Sequence, residues 1–224
     1  MNKKIIEARN IVKTYPENGS VLEVLNGVDF SIEKGQTVAV IGESGSGKST
    51  FMHLLGFLDK PDSGEILFYG DKVKEKKLAE FRNKHIGFVF QFHYLLNDFT
   101  AVENVAMPMF IKTKDWKDSL SKAENILDKM DILKRKNHYP NQLSGGEQQR
   151  VAIARAMINN PDIILADEPT GNLDEKHSDE IMKLFLDLNQ ESAQTLIIVT
   201  HNHNIADLMN KKYEMKSGKL VEIL

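Results

Sequence analysis

The run Gly42-Glu43-Ser44-Gly45-Ser46-Gly47-Lys48-Ser49 constrains this chain more than any other stretch. Its spacing is G-x-x-x-x-G-K-[ST]. It follows the apolar run Thr37-Val38-Ala39-Val40-Ile41 and precedes the helical pattern Thr50-Phe51-Met52-His53-Leu54-Leu55. Strand, glycine loop and helix in that order make a phosphate cradle. The glycines let backbone N–H groups approach a phosphate with no Cβ in the way. The N-terminus of the following helix adds partial positive charge. Lys48 is long enough to reach the β- and γ-phosphates of a nucleotide, and Ser49 supplies a hydroxyl for Mg²⁺. The candidate phosphate set is therefore Gly42, Glu43, Ser44, Gly45, Ser46, Gly47, Lys48, Ser49 and Thr50. The bland alternative, a glycine-rich turn, does not explain the flanking strand and helix.

A second stretch belongs with the first. Ile163-Ile164-Leu165-Ala166-Asp167-Glu168 is a buried-type strand that ends in two carboxylates. An apolar run ending in Asp-Glu carries little by itself. Beside a phosphate loop it places Asp167 to orient a Mg²⁺ shell and Glu168 to polarise an attacking water.

The rest of the chain frames these two runs. Strand-type segments fill the first third, at Ile5–Lys13, Val28–Ile32, Gln36–Ile41 and Gly64–Phe68, separated by turn signals such as Glu17-Asn18-Gly19. Ile86–Phe90 reads as a further strand, which puts Phe88 and Phe90 in the core. Helical patterns dominate from Ala101 to Asn160, notably Leu120–Met130 and Glu147–Asn159. Strand and helix then alternate: Ile163–Ala166, Lys176–Gln190, Thr195–Thr200 and a short helix near Ile205, before a hairpin over Tyr213–Leu224. That alternation predicts an α/β core with a mainly parallel sheet and a helical insertion. The charge-dense run Lys72–Lys77 reads as a solvated loop or helix face.

Composition sets outer limits. The chain has 224 residues, with 29 basic and 32 acidic side chains, and its formal net charge of -3 makes no electrostatic case for nucleic acid. It has no cysteine, so a disulfide framework and thiolate metal sites are excluded. Glu7 and Arg9 interrupt any apolar run near the start, so no signal peptide is expected. No apolar run approaches the ~18 residues of a membrane span. Work at a membrane would need spans from another chain.

Gln142-Leu143-Ser144-Gly145-Gly146-Glu147-Gln148-Gln149-Arg150 resembles the signature motif of ABC ATPases and matches its LSGGxxxR pattern at every fixed position. Its chemistry agrees, because Ser144 and two glycines open a helix and make another anion site. The resemblance covers essentially the whole chain. It implies one domain over 1–224, with a P-loop NTPase (RecA-like) core and antiparallel β subdomain at 1–91 and 160–224. The α-helical signature subdomain is then 92–159.

The resemblance also implies ATP and Mg²⁺ as ligands and a second copy of the chain as partner. The copies pair head to tail, so that Ser144, Gly145 and Gly146 of one cap the γ-phosphate held by the other. Tyr15 matches the aromatic that stacks on adenine, the alternative being a core tyrosine at a strand end. Gln91 matches the glutamine that senses Mg²⁺ and the γ-phosphate, and Asp174 the aspartate at the dimer seam. His201 matches the histidine that contacts the γ-phosphate and holds Glu168 and the water. His201-Asn202-His203 also reads as a metal pair, but two histidines without a third ligand fall short of a site. Asn202 is a departure, since relatives often carry an acidic residue there.

The stretch Gln91–Met109, QFHYLLNDFTAVENVAMPM, resembles more narrowly the ATPases of lipoprotein-releasing systems. Asn97 stands where that pattern has proline, and macrolide/peptide-export and cell-division ATPases are the alternative relatives. The narrower resemblance implies integral membrane permease subunits as partners. It implies a peripheral position on the cytoplasmic face of the bacterial inner membrane. Phe92, Tyr94 and Leu95 then read equally as a surface for that partner or as the helical subdomain's own core.

Overall fold

A computed structural model describes residues 3–17 and 19–223. Asn18, in the expected first turn, and Leu224, ending the expected last hairpin, lie outside the described residues, as do Met1 and Asn2. The order is β1 (Lys4–Glu17), β2 (Ser20–Glu33), β3 (Thr37–Ile41), α1 (Lys48–Leu55), β4 (Ser63–Phe68), β5 (Asp71–Lys72), α2 (Leu78–His85) and β6 (Ile86–Val89). There follow α3 (Ala101–Thr113), α4 (Trp116–Lys129), α5 (Gly145–Met157), β7 (Ile163–Asp167), α6 (Glu175–Ser192), β8 (Thr195–Val199), α7 (His203–Ala206), β9 (Lys211–Lys216) and β10 (Lys219–Ile223).

Two sheets result. One has the order β2-β1-β4-β5 and is antiparallel. The other has the order β10-β9-β3-β8-β7-β6, parallel from β9 to β6, with β10 antiparallel at its edge. The strands β3, β7 and β8 are unbroken apolar runs because the parallel sheet is covered on both faces. Val38, Val40, Leu165, Ile197 and Val199 point to one core with α1 and the antiparallel sheet. The alternate residues Ala39, Ile41, Ile164, Ala166, Leu196 and Ile198 point to the other, with α3 to α7. The helical segment thus shares one continuous core with the sheet. Gly87 in β6 lets α5 come close, since a Cβ there would stand 2.6 Å from the Ala156 carbonyl oxygen.

Element boundaries differ from the sequence reading where periodicity is hidden. β1 and β2 run well past the expected Ile5–Lys13 and Val28–Ile32, and register shifts interrupt their pairing. A bulge breaks the two-residue alternation that marks a strand. The helix α2 has no buried residue, so no apolar stripe announces it. Phe90 lies beyond the end of β6, and Phe88 and Phe90 are half-buried, packed against the edge of the core. Their rings stack at 5.6 Å, 3° from parallel, and line a shallow groove with Leu58, Pro108 and Arg155.

Candidate functional site

The four chain crossings that matter all lie at the carboxyl ends of neighbouring parallel strands, where α/β sheets bind ligands. The glycine loop leaves β3, Gln91 follows β6, Asp167 ends β7, and His201 follows β8. One cleft of about 710 Å³ is lined by Tyr15, Ser44, Gly45, Gly47, Lys48, Ser49, Thr50, Gln91, Asp167, Glu168 and His201, together with Val24.

The loop's shape follows from its glycines. Gly47 precedes α1 with φ 104°, and a Cβ there would stand 2.9 Å from the Val24 carbonyl oxygen, so only glycine fits. Lys48 folds back over the loop and donates to the Gly42 and Glu43 carbonyl oxygens, each at 2.8 Å. The opening N–H groups of α1 have no earlier carbonyl to bond. Gly42, Glu43 and Ser46 do not line the cleft. Glu43 and Ser46 face the β9–β10 turn instead, and the buried Ser46 Oγ has no partner among the described residues.

Across the cleft, burial pushes the Asp167 carboxyl above the usual carboxylate range, opposed by a hydrogen bond from Ser49. Glu168 has a left-handed backbone, φ 44°, and its N–H donates to the Val199 carbonyl at 2.8 Å. The Thr200 hydroxyl donates to Glu168 Oε2 at 3.0 Å, and His201 Nδ1 lies 2.8 Å from Oε1. Both carboxylate oxygens are thus held, with the histidine side open to solvent. A second cleft of about 650 Å³ lies against this pair, between α6 and α7. Gln91 is fixed through Asn172, whose side chain donates to the Gln91 carbonyl at 2.9 Å. Thr200 and Asn172 were not legible as site residues, because each acts only through a neighbour distant in sequence.

The structure does not bring Ser144, Gly145, Gly146 or Asp174 to this cleft. Ser144 caps α5, accepting from the Glu147 N–H at 3.3 Å, while Glu147 Oε2 accepts from the Ser144 N–H at 2.8 Å. Asp174 caps α6 and lies 2.7 Å from His177 Nδ1. The His177 ring covers Gly146, so the two caps adjoin each other, outside the lining of the cleft.

The loop after Gln91 is set by Arg155. Its guanidinium donates to the His93 and Tyr94 carbonyl oxygens, both at 2.6 Å. His93 and Tyr94 turn with φ of 59° and 46°. Burial pushes Arg155 down to about 10, and no carboxylate pairs with it among the described residues. The turn throws Phe92 and Tyr94 outward, at 66% and 63% exposure. Leu95 packs on the helical core. The open choice over these three residues therefore divides: two are surface and one is core.

The donor set fits a magnesium nucleotide. A half-buried carboxylate faces a helix-opening serine and a lysine, and a Cβ at Gly45 would meet no protein atom within 4 Å. The sequence profile of the ABC transporter family matches residues 25–171. The chain is similar to the "Lipoprotein-releasing system ATP-binding protein LolD" of Cytophaga hutchinsonii, 47% identical over 98% of this chain and 100% of that one. It is 48% identical to the protein of the same name from Syntrophus aciditrophicus, over 97% of this chain and 99% of that one. Its fold matches a dimeric post-hydrolysis ATP-binding cassette bound to ADP and Pi, with TM-score 0.91, 39% identity and 98% of each chain covered.

Proposed function

The chain belongs to the ABC transporter family as a transport-coupled ATPase, and from that premise we propose that it powers release of lipid-anchored proteins from the bacterial inner membrane. The observation that carries this reading is its near-full-length identity to relatives named for lipoprotein release. The exposed Phe92 and Tyr94, next to Gln91, support a membrane partner, because large apolar groups in a short loop are costly to leave wet.

Two copies act head to tail on the cytoplasmic face. In each, Tyr15 stacks on the base. Lys48 exchanges its loop carbonyls for phosphate oxygens, and the N–H groups of Gly45, Gly47, Ser49 and Thr50 complete the cradle. Gly42, Glu43, Ser44 and Ser46 shape the loop. Ser49, Gln91 and Asp167 would hold Mg²⁺, which would offset phosphate charge. The partner copy closes the site with Ser144, Gly145 and Gly146, and Asp174 lies at the seam. Glu168 takes a proton from water, held in place by His201 and Thr200. Residues 92–159 move as the helical subdomain and pass closure to integral membrane permease subunits.

The test is release of a lipid-anchored protein from vesicles carrying this chain with its membrane subunits. Release is expected only with Mg-ATP. Glu168→Gln should keep nucleotide binding and lower turnover by about 10²–10⁴, the usual weight of a general base. Export of a soluble drug or peptide without lipoprotein release would favour the export relatives instead.

A further inference from the structure

The Tyr15 ring is tethered by groups that no motif contains. Its hydroxyl donates to Asp59 Oδ2 at 2.8 Å. Lys13 Nζ is 3.0 Å from the same carboxylate, donates to the Lys60 carbonyl at 2.8 Å, and stands 5.1 Å from the centre of the Tyr15 ring. Tyr15 lines the nucleotide cleft and is 37% exposed, whereas Lys13 is 8% exposed and does not line it. The cation therefore sits on the protein side of the ring. Asp62 adds a staple, accepting from both the N–H and the hydroxyl of Thr14 at 2.7 Å.

We infer that Lys13 and Asp59 are positioning residues of the base-stacking platform, with Lys13 charging the back of the Tyr15 ring. This rests on the reading of Tyr15 as that platform. Two physical effects carry it. Asp59 follows α1, the helix that begins at the phosphate loop, so the tether references platform and phosphate cradle to one rigid element. A cation behind an aromatic ring also draws negative charge from its open face. That eases face-to-face contact with a purine, whose own face is negative. Burial alone would push Lys13 down, but Asp59 and Asp62 outweigh it and keep the ammonium charged.

The test compares ATP with inorganic tripolyphosphate as ligands of the full-length chain, by calorimetry, alongside steady-state kinetics. Lys13→Met is expected to weaken ATP roughly 3- to 10-fold, the scale of a partly desolvated cation–π contact, with the kinetic loss in KM rather than kcat. Tripolyphosphate affinity should hold within about twofold, since only the base touches the platform. Lys13→Arg should restore ATP affinity. Equal weakening of both ligands, or of neither, overturns the inference, because a merely structural tie does not distinguish base from phosphate. Should Lys13→Met fail to fold, Asp59→Asn decides by the same ratio: it keeps the Lys13 charge and weakens the tether, so ATP alone should weaken. Tyr15→Ala is the separate control. If it does not weaken ATP relative to tripolyphosphate, the platform reading itself fails, whatever Lys13 does.

Discussion

Glu168 shows what single residues contribute at this site. A glutamate backbone at φ 44° sits in a region that residues other than glycine seldom occupy, and such strain persists only where surroundings over-determine it. Here the Val199 carbonyl holds its N–H, and Thr200 and His201 hold its two oxygens. Asp167 beside it carries a different cost. Burial raises its folded-state pKa above the unfolded one, so the ionised form is harder to keep in the fold than in the open chain. That cost is present at neutral pH and vanishes below the unfolded value of about 4. Asp167→Asn is therefore expected to raise the melting temperature at pH 7–8 in the absence of Mg²⁺ and nucleotide. The gain should shrink to nothing toward about pH 4, as followed by scanning fluorimetry with EDTA. A gain independent of pH would show that charge is not its cause. The same substitution should abolish Mg²⁺-dependent turnover.

Among the elements, α3 governs the stretch that follows Gln91. Asn104 is fully buried in its first turns, and its amide makes four hydrogen bonds to the preceding loop. Its Oδ1 accepts from the Leu96 N–H at 2.7 Å, and its Nδ2 donates to the carbonyls of Leu96, Phe99 and Thr100 at 3.0, 2.9 and 3.0 Å. Asn104→Ala leaves several of those groups unpaired, so a loss of about 2–4 kcal/mol is expected in urea denaturation. Hydrogen exchange should quicken first at Leu96–Thr100. This role was invisible in the sequence, where Asn104 is one polar letter in a helical run. The aromatic run was legible only as a choice between core and surface. Arg155, 61 residues beyond Tyr94, resolves that choice by drawing the loop's carbonyls inward and turning Phe92 and Tyr94 outward. A side chain that reaches across the fold leaves no periodic mark on the segment it shapes.

For the whole molecule, the decisive fact is a division. The cleft holds the phosphate loop, Asp167, Glu168, Gln91 and His201, while Ser144 and Gly145 stand exposed outside its lining, near Asp174. On the proposed head-to-tail pairing, the signature of one copy completes the cleft of the other. In the Glu168→Gln background, ATP is expected to double the mass seen by light scattering. Ser144→Arg should prevent that doubling while nucleotide affinity of the single copy stays within about threefold, well under the tenfold that 1.4 kcal/mol represents. Doubling that survives the arginine would remove the signature from the interface. The amino-acid sequence by itself determined the chemistry of this protein. Phosphate loop, carboxylate pair and signature are contiguous runs whose function depends on local backbone shape and residue type, so each can be read where it stands. Only the tertiary structure decided how they are held: the Thr200 and His201 grip on Glu168, the Asn172 contact at Gln91, the Lys13–Asp59 tether under Tyr15 and the outward turn of Phe92. Those depend on groups that packing of the two cores brings within about 3 Å, and proximity of that kind is a property of the fold.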